Sequence, residues 1–198
     1  MAKTARKAKV VRNTKETQIS VELNVDGRGK YDIHTPIPFL NHMMEAFAKH
    51  GLFDLKLKAK GDTHVDFHHT VEDVGIAIGE AFTKALGNKN GMRRYGHFTL
   101  PMDEVLTTVA VDFAGRPCMI YNPKIKPGRI GTFDVELVPE WFQGFTNAAL
   151  INLHVAVAYG RNRHHIVESM FKAFAKAVDM ATQIDPRVKG VPSTKGKL

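Results

Sequence analysis

The chain of 198 residues carries a single cysteine, Cys118, which excludes an intramolecular disulfide framework and fits a reducing, cytoplasmic compartment. No apolar run approaches the roughly 20 residues a bilayer demands, so no membrane association is expected. The leader from Met1 to Arg12 is basic but lacks the apolar segment of a secretory signal. Also missing is a stripe of Arg and Lys interleaved with aromatics. The formal charge of +8 therefore does not mark a nucleic-acid surface. Much of that charge sits at the ends, on Lys3, Arg6, Lys7, Lys9 and Arg12 and on Lys189, Lys195 and Lys197. These cations read equally as solvated termini or as a polyanion-facing set, and a few of them could capture a phosphate.

Histidine, in contrast, is plentiful, with ten residues in an otherwise ordinary globular composition of 43% hydrophobic and 24% charged residues. Two segments repeat one pattern: His68-His69-Thr70-Val71-Glu72 and His164-His165-Ile166-Val167-Glu168. The differences 164 − 68, 165 − 69 and 168 − 72 all equal 96, and the echo runs on through Ala77/Ala173, Ala81/Ala177 and Ala85/Ala181. A whole helix is duplicated, and with it a cluster of imidazoles and carboxylates.

The surrounding pattern supports two similar halves. Thr17 to Val25 alternates as a half-buried strand, Asp26-Gly27-Arg28-Gly29 turns, and Lys30 to His34 reads as the return strand. Helical spacing covers Pro38 to His50, alternation returns over Leu52 to Ala59, and a helix is expected from about Thr70 to Leu86. The second half repeats the order: strands at Val105 to Phe113, Cys118 to Tyr121 and Thr132 to Leu137, a helix over Pro139 to Leu150, and a strand at Ile151 to Tyr159. The second His-His helix follows. The expected fold is α+β, with two fused halves whose helices pack together between outer sheets.

On a helix, residues i and i+4 share a face, so His68 with Glu72 and His164 with Glu168 can each clamp one ion. Adjacent histidines point about 100° apart, so His69 and His165 should reach a different ion, across the pseudo-twofold or in another subunit. His42 on the preceding helix is a further candidate ligand. A nitrogen-rich set with one carboxylate suits manganese, iron, nickel or zinc, and the absence of a positioned cysteine argues against a structural zinc module. The order also differs from His-Glu-x-x-His, in which the glutamate is a base. A single pair would more often be structural; two identical pairs, each keeping Glu at the fourth position, favour ligation.

With these motifs in view the sequence resembles the imidazoleglycerol-phosphate dehydratase family. The match runs from Arg12-Asn13-Thr14-Lys15-Glu16-Thr17 through Phe39-Leu40-Asn41-His42-Met43, the first His-His segment, Asp112-Phe113-Ala114-Gly115-Arg116-Pro117 and Asn152-Leu153-His154. It ends with the second His-His segment and Val191-Pro192-Ser193-Thr194-Lys195-Gly196. The resemblance implies one domain made of half-repeats, about 10–95 and 96–185, each a four-stranded sheet with two helices on one face, with a substrate-binding tail at 186–198. It implies Mn²⁺, two ions per active site, in a homo-oligomeric shell of twenty-four subunits with sites between them. By motif, one ion would take His42, His68, Glu72 and a borrowed His165; the other would take His164, Glu168, a borrowed His69 and Glu140. His154 would hydrogen-bond near the site. Substrate contacts would come from Glu16, His42, His68, Glu72, Arg94, Arg116, His164, Lys172, Ser193 and Lys195.

The implied reaction, a step of L-histidine biosynthesis, dehydrates imidazoleglycerol phosphate to imidazoleacetol phosphate. The departing proton lies on a carbon with no adjacent carbonyl. The resemblance therefore implies that metal-bound imidazolate expels hydroxide to give a diazafulvene, after which a base removes the proton. Glu16 is the favoured base and Glu168 its competitor. Three other readings compete: a dinuclear phosphohydrolase, for which the cluster holds little Asp; a non-catalytic metal-binding shell, which leaves the Arg/Ser/Lys set unexplained; and an RNA-binding protein, which lacks stacking platforms.

Overall fold

Sequence and register together reveal one duplication whose offset changes along the chain, from 88 to 98 to 96 residues. The structure, a computed structural model, describes residues 6–198. Its first half runs β1 (Lys7–Asn13), β2 (Thr17–Asn24), β3 (Tyr31–His34), α1 (Pro38–Gly51), β4 (Asp54–Gly61) and α2 (His68–Leu86). The second runs β5 (Tyr95–Met102), β6 (Val105–Asp112), β7 (Cys118–Asn122), β8 (Arg129–Ile130), β9 (Phe133–Asp134), α3 (Leu137–Ala149), β10 (Asn152–Tyr159) and α4 (Arg163–Thr182).

The two four-stranded sheets have the same order, β1-β2-β4-β3 and β5-β6-β10-β7. Lys7 pairs with Asn24 as Tyr95 pairs with Asp112, so the first two strands repeat at 95 − 7 = 112 − 24 = 88. Tyr31 pairs with Leu55 as Met119 pairs with Leu153, giving 119 − 31 = 88 but 153 − 55 = 98. The ten extra residues fall between β7 and α3 and carry the small β8–β9 ladder. The histidine helices then repeat at 96.

Alternation along each strand sends one face inward, as in β2, where Ile19, Val21 and Leu23 are buried. The helices fill the layer between the sheets, with α2 packed on α3 and α1 on α4. An aromatic cluster fills their junction: Phe47 stacks on Phe174 at 5.6 Å, Phe82 meets Phe145 at 5.5 Å, and Trp141 lies 4.8 Å from Phe171. The α2–α3 crossing is the closer one, and glycine makes it so. A Cβ on Gly79 would lie 2.7 Å from the Phe145 carbonyl oxygen, and one on Gly144 would lie 2.7 Å from that of Glu72.

Three expectations are corrected and one strand is added. Lys30 to His34 does not return along β2; β3 pairs in parallel with β4, and α1 supplies the crossover that a parallel pair needs. Thr132 to Leu137 is not a sheet strand, because only Phe133–Asp134 pairs, with Arg129–Ile130, and α3 already begins at Leu137. The leader is not a solvated tail from residue 6 onward, since Lys7–Asn13 forms an edge strand. There Arg6 pairs with Asp26 at 2.7 Å and Arg12 with the buried Asp73 at 2.7 Å; Lys3 lies outside the described residues. Finally, Tyr95–Met102 is a strand that the sequence pattern did not suggest.

Candidate metal centre

Both histidine helices begin in the same way. The Asp66 side chain accepts from His68 N–H at 2.7 Å, and the Asn162 side chain accepts from His164 N–H at 2.9 Å. Each acceptor satisfies a first-turn donor and fixes where the following imidazoles project.

In the second half His164 Nε2 lies 3.0 Å from Glu168 Oε2, and His42 Nε2 lies 3.4 Å from the same oxygen. One ligand atom from each of the three residues falls within 4.8 Å of the others, a spacing that can hold a metal ion. Burial raises the Glu168 carboxyl, but the Lys172 ammonium at 2.6 Å and His42 outweigh it and hold the group below its ordinary range. Glu168 is thus an anion at neutral pH, as a ligand must be.

The first half is the looser copy. His68 Nε2 stands 3.8 Å from Glu72 Oε2, and Glu140 on α3 lines the same cavity of ≈ 570 Å³ as His68. The left-handed residues that end α1 and α3, Leu52 and Leu150, align the two helices at 150 − 52 = 98. Glu140 is then the counterpart of His42, since 140 − 42 = 98. The expected grouping is corrected here: His42 lies with His164 and Glu168, and Glu140 on the side of His68. The cause is helix pairing, since α1 packs on α4 and α2 on α3.

His69 and His165 turn away from both clusters. Their rings sit at 87° and 83° to those of His68 and His164. His69 Nδ1 bonds Asp62 at 2.9 Å, and His165 Nδ1 bonds Glu104 at 2.9 Å. Those hydrogen bonds raise both imidazoles above their usual pKa. Glu104, held by His165 and by the N–H groups of Asn162 and Arg161, drops to about 2. A carboxylate on Nδ1 fixes the tautomer that leaves Nε2 for a metal, so the donor set fits a divalent transition ion.

Glu16 sits at the β1–β2 turn, exposed, 3.9 Å from His69 Nε2. The 88-residue strand repeat makes Glu104 its counterpart, since 104 − 16 = 88. Sequence reasoning missed Glu104 and Asp62; only the 88-residue offset pointed to the former. His154 is corrected: it is exposed on β10, whose partners across the sheet are Ala110 and Ile120, on the face away from the helices.

The phosphate candidates gather elsewhere. Arg94 makes a fork on Asp112 at 2.6 and 3.0 Å and donates to the Pro192 carbonyl at 3.0 Å, leaving two of its five N–H donors. The tail thereby meets Arg94; Arg116 occupies the nearby β6–β7 turn, and Ser193 Oγ accepts from Lys195 N–H at 3.2 Å. Arg94 N–H also reaches the Ala181 carbonyl at the far end of α4 from His164. Seventeen residues (181 − 164) of helix separate the two ends, about 25 Å at 1.5 Å per residue.

Comparison with known proteins decides the family. The imidazoleglycerol-phosphate dehydratase family model matches residues 35–178. The chain belongs to that family. Imidazoleglycerol-phosphate dehydratase from Citrifermentans bemidjiense is 58% identical over 194 residues, covering 98% of this chain and 100% of the relative. The enzyme of that name from Geobacillus kaustophilus is 53% identical over 194 residues, with 98% and 100% covered. Among solved structures, the dehydratase from Staphylococcus aureus superposes with a TM-score of 0.82 at 35% identity, covering 90% of this chain and 99% of that one. The enzyme from Pyrococcus furiosus, in complex with (S)-C348, gives 0.82 at 35% identity, covering 96% and 100%. These dehydratases share the two-sheet α+β fold built from two similar halves, and the family is one of hydro-lyases.

Proposed function

We propose that this protein dehydrates imidazoleglycerol phosphate to imidazoleacetol phosphate in histidine biosynthesis, in the cytoplasm, using two Mn²⁺ ions per active site. The observation that carries the reading is the convergence of His42, His164 and Glu168, with carboxylates on Nδ1 of both His69 and His165. His42, His164 and Glu168 would hold one ion and Glu140, His68 and Glu72 the other, each completed by His69 or His165 of another copy. Bound there, the ions would polarise the substrate's imidazole toward its anion.

The protein's own groups supply the rest. Glu16, exposed beside His69, is the base for the C–H proton of the substrate's glycerol arm. Glu168 is already committed to two imidazoles and Lys172. Loss of hydroxide from the carbon attached to the ring gives a diazafulvene. Transfer of the neighbouring proton to Glu16 gives the enol, which becomes the ketone. Arg94, Arg116, Ser193 and Lys195 bind the phosphate, and Lys172 adds a charge beside Glu168.

About 25 Å of helix between the two sets argues for a shared site, in which one copy lends its cations and tail to the metal cluster of another. That requirement favours the twenty-four-subunit shell, with half-repeats of about 10–95 and 96–185 and residues 186–198 as the substrate tail. The test is product analysis with Mn²⁺-loaded protein. Appearance of a ketone with phosphate retained supports dehydration, and release of inorganic phosphate would turn the reading toward a phosphohydrolase.

A further inference from the structure

Burying a charge is costly unless something pairs it, and the described residues obey that rule with one exception. Buried Asp73 is held by Arg12 at 2.7 Å, Glu168 by Lys172 at 2.6 Å and Asp185 by Arg187 at 2.6 Å. Lys89 is the exception. It is 8% exposed, the one buried Lys or Arg among the described residues, and its ammonium makes neither an ion pair nor a hydrogen bond. Nor is its Nζ among the sealed side-chain atoms without partners, such as Trp141 Nε1 and Tyr121 Oη, so the tip of the stem opens to solvent.

The turn after α2 places it. Asn88, Asn90 and Gly91 carry turn chemistry, yet Lys89 itself takes the left-handed conformation, with a φ of 59°, as does Arg94 with 73°. Residues other than Gly and Asn adopt that conformation at a cost, which a fold keeps where the side chain is needed. Lys89 N–H bonds the Leu86 carbonyl at 3.1 Å, and Gly91 N–H bonds the Gly190 carbonyl at 2.8 Å. The turn is thereby strapped to the tail that carries Ser193 and Lys195.

The charges facing the Lys89 ammonium are Asp112 and Arg94. Burial pushes it below its ordinary range, Asp112 counters this and Arg94 adds to it. Those two are already committed to each other, since the Arg94 fork takes both Asp112 oxygens at 2.6 and 3.0 Å. With the Pro192 carbonyl and the Tyr95 ring, 4.7 Å away, the fork fixes where Arg94 points. It also cancels the Arg94 charge. An anion approaching the remaining N–H donors of Arg94 meets a neutral pair unless a third charge is present. Lys89 supplies that charge.

We propose that Lys89 is a positioning residue for the substrate's phosphate: its ammonium offsets Asp112, so that Arg94 is held rigidly and still presents a net positive charge. The inference rests on the assignment of Arg94 to the phosphate. Asp112 aims the guanidinium, and Lys89 restores the charge that the aiming removes. The competing role, a carbon stem that only covers apolar surface, needs no charge at all. The two roles make opposite predictions for a neutral side chain of similar length.

The experiment is competitive inhibition by inorganic phosphate of the Mn²⁺-loaded, assembled enzyme, with KM, kcat and thermal midpoint measured alongside. Lys89→Met, which keeps the stem and removes the charge, is expected to weaken phosphate inhibition and raise KM by about tenfold, with kcat within about threefold. Its midpoint in phosphate-free buffer should be unchanged or higher, because an unpaired buried charge is gone. Lys89→Gln should behave in the same way. Phosphate inhibition within about threefold of wild type in both variants would overturn the proposal. So would a lowered midpoint with kcat and KM damaged together, the mark of a structural lysine. Arg94→Met, in which Lys89 is left to pair Asp112, separates the two levels. If inhibition survives it, the phosphate assignment itself falls; if inhibition is lost there but survives Lys89→Met, only the role of Lys89 falls.

Discussion

Glu104 Oε2 lies 2.9 Å from His165 Nδ1, whereas its repeat counterpart Glu16 stands 3.9 Å from the Nε2 of His69. The same turn position has thus acquired two roles. Glu104 holds an imidazole by the nitrogen that faces the protein. Glu16 lies beside the nitrogen that faces out, where Asp62 has already taken over Nδ1. Glu104→Gln should therefore leave the chemistry intact and weaken Mn²⁺ affinity by about 10–100-fold, the usual cost of losing such a partner. Titration against a competing chelator measures it, and unchanged affinity would remove Glu104 from the centre.

Glu16→Gln should do the opposite. Turnover should fall by about 10²–10⁴-fold, as expected when a positioned base is lost, while metal content stays at the wild-type level. Glu168→Gln should lose metal together with activity. If Glu16→Gln turned over normally, the proton would have to go elsewhere.

Metal affinity should rise with pH. The pKa values of His69 and His165 are raised by Asp62 and Glu104, so in metal-free protein these ion pairs are intact at low pH and fade as pH climbs through the raised values. Metal binding needs the neutral ring and displaces that proton. Affinity should therefore climb about tenfold per pH unit for each proton released, levelling off above the raised values. Calorimetry in buffers of different ionisation enthalpy reads the proton release directly. An affinity flat between pH 6 and pH 8 would contradict it.

Packing offers an independent check. Gly79→Ala forces a methyl toward the Phe145 carbonyl and should cost about 1–3 kcal/mol, lowering the thermal midpoint. The counterpart on α4 is Ala175, at 175 − 79 = 96, which is fully buried, so the demand is specific to the α2–α3 crossing. An unchanged midpoint would mean that the helices slide apart freely.

The histidine helices were legible because 3.6-residue spacing and polar ligands coincide on one face, as at His164 and Glu168. β1 was hidden because only Val10 of its seven residues is buried, so lysines dominated the alternation. β5 was hidden in the same way, with Gly96 as its one buried residue. Once these two strands were missed, the 88-residue offset was missed as well, and Glu104 with it. The grouping of His42 was beyond reach for a different reason. Helix spacing ranks the faces of one helix, but which helices neighbour each other is decided by sheet order and by glycines such as Gly144, far away in sequence.

The most direct test is particle mass by light scattering together with manganese content, before and after chelation. The predicted result is a large Mn²⁺-loaded assembly of the 22.1 kDa protein that falls to smaller species when stripped and re-forms when Mn²⁺ is restored. Protein that loses all its metal yet keeps its full mass would contradict the claim that His69 and His165 bridge copies through the ions.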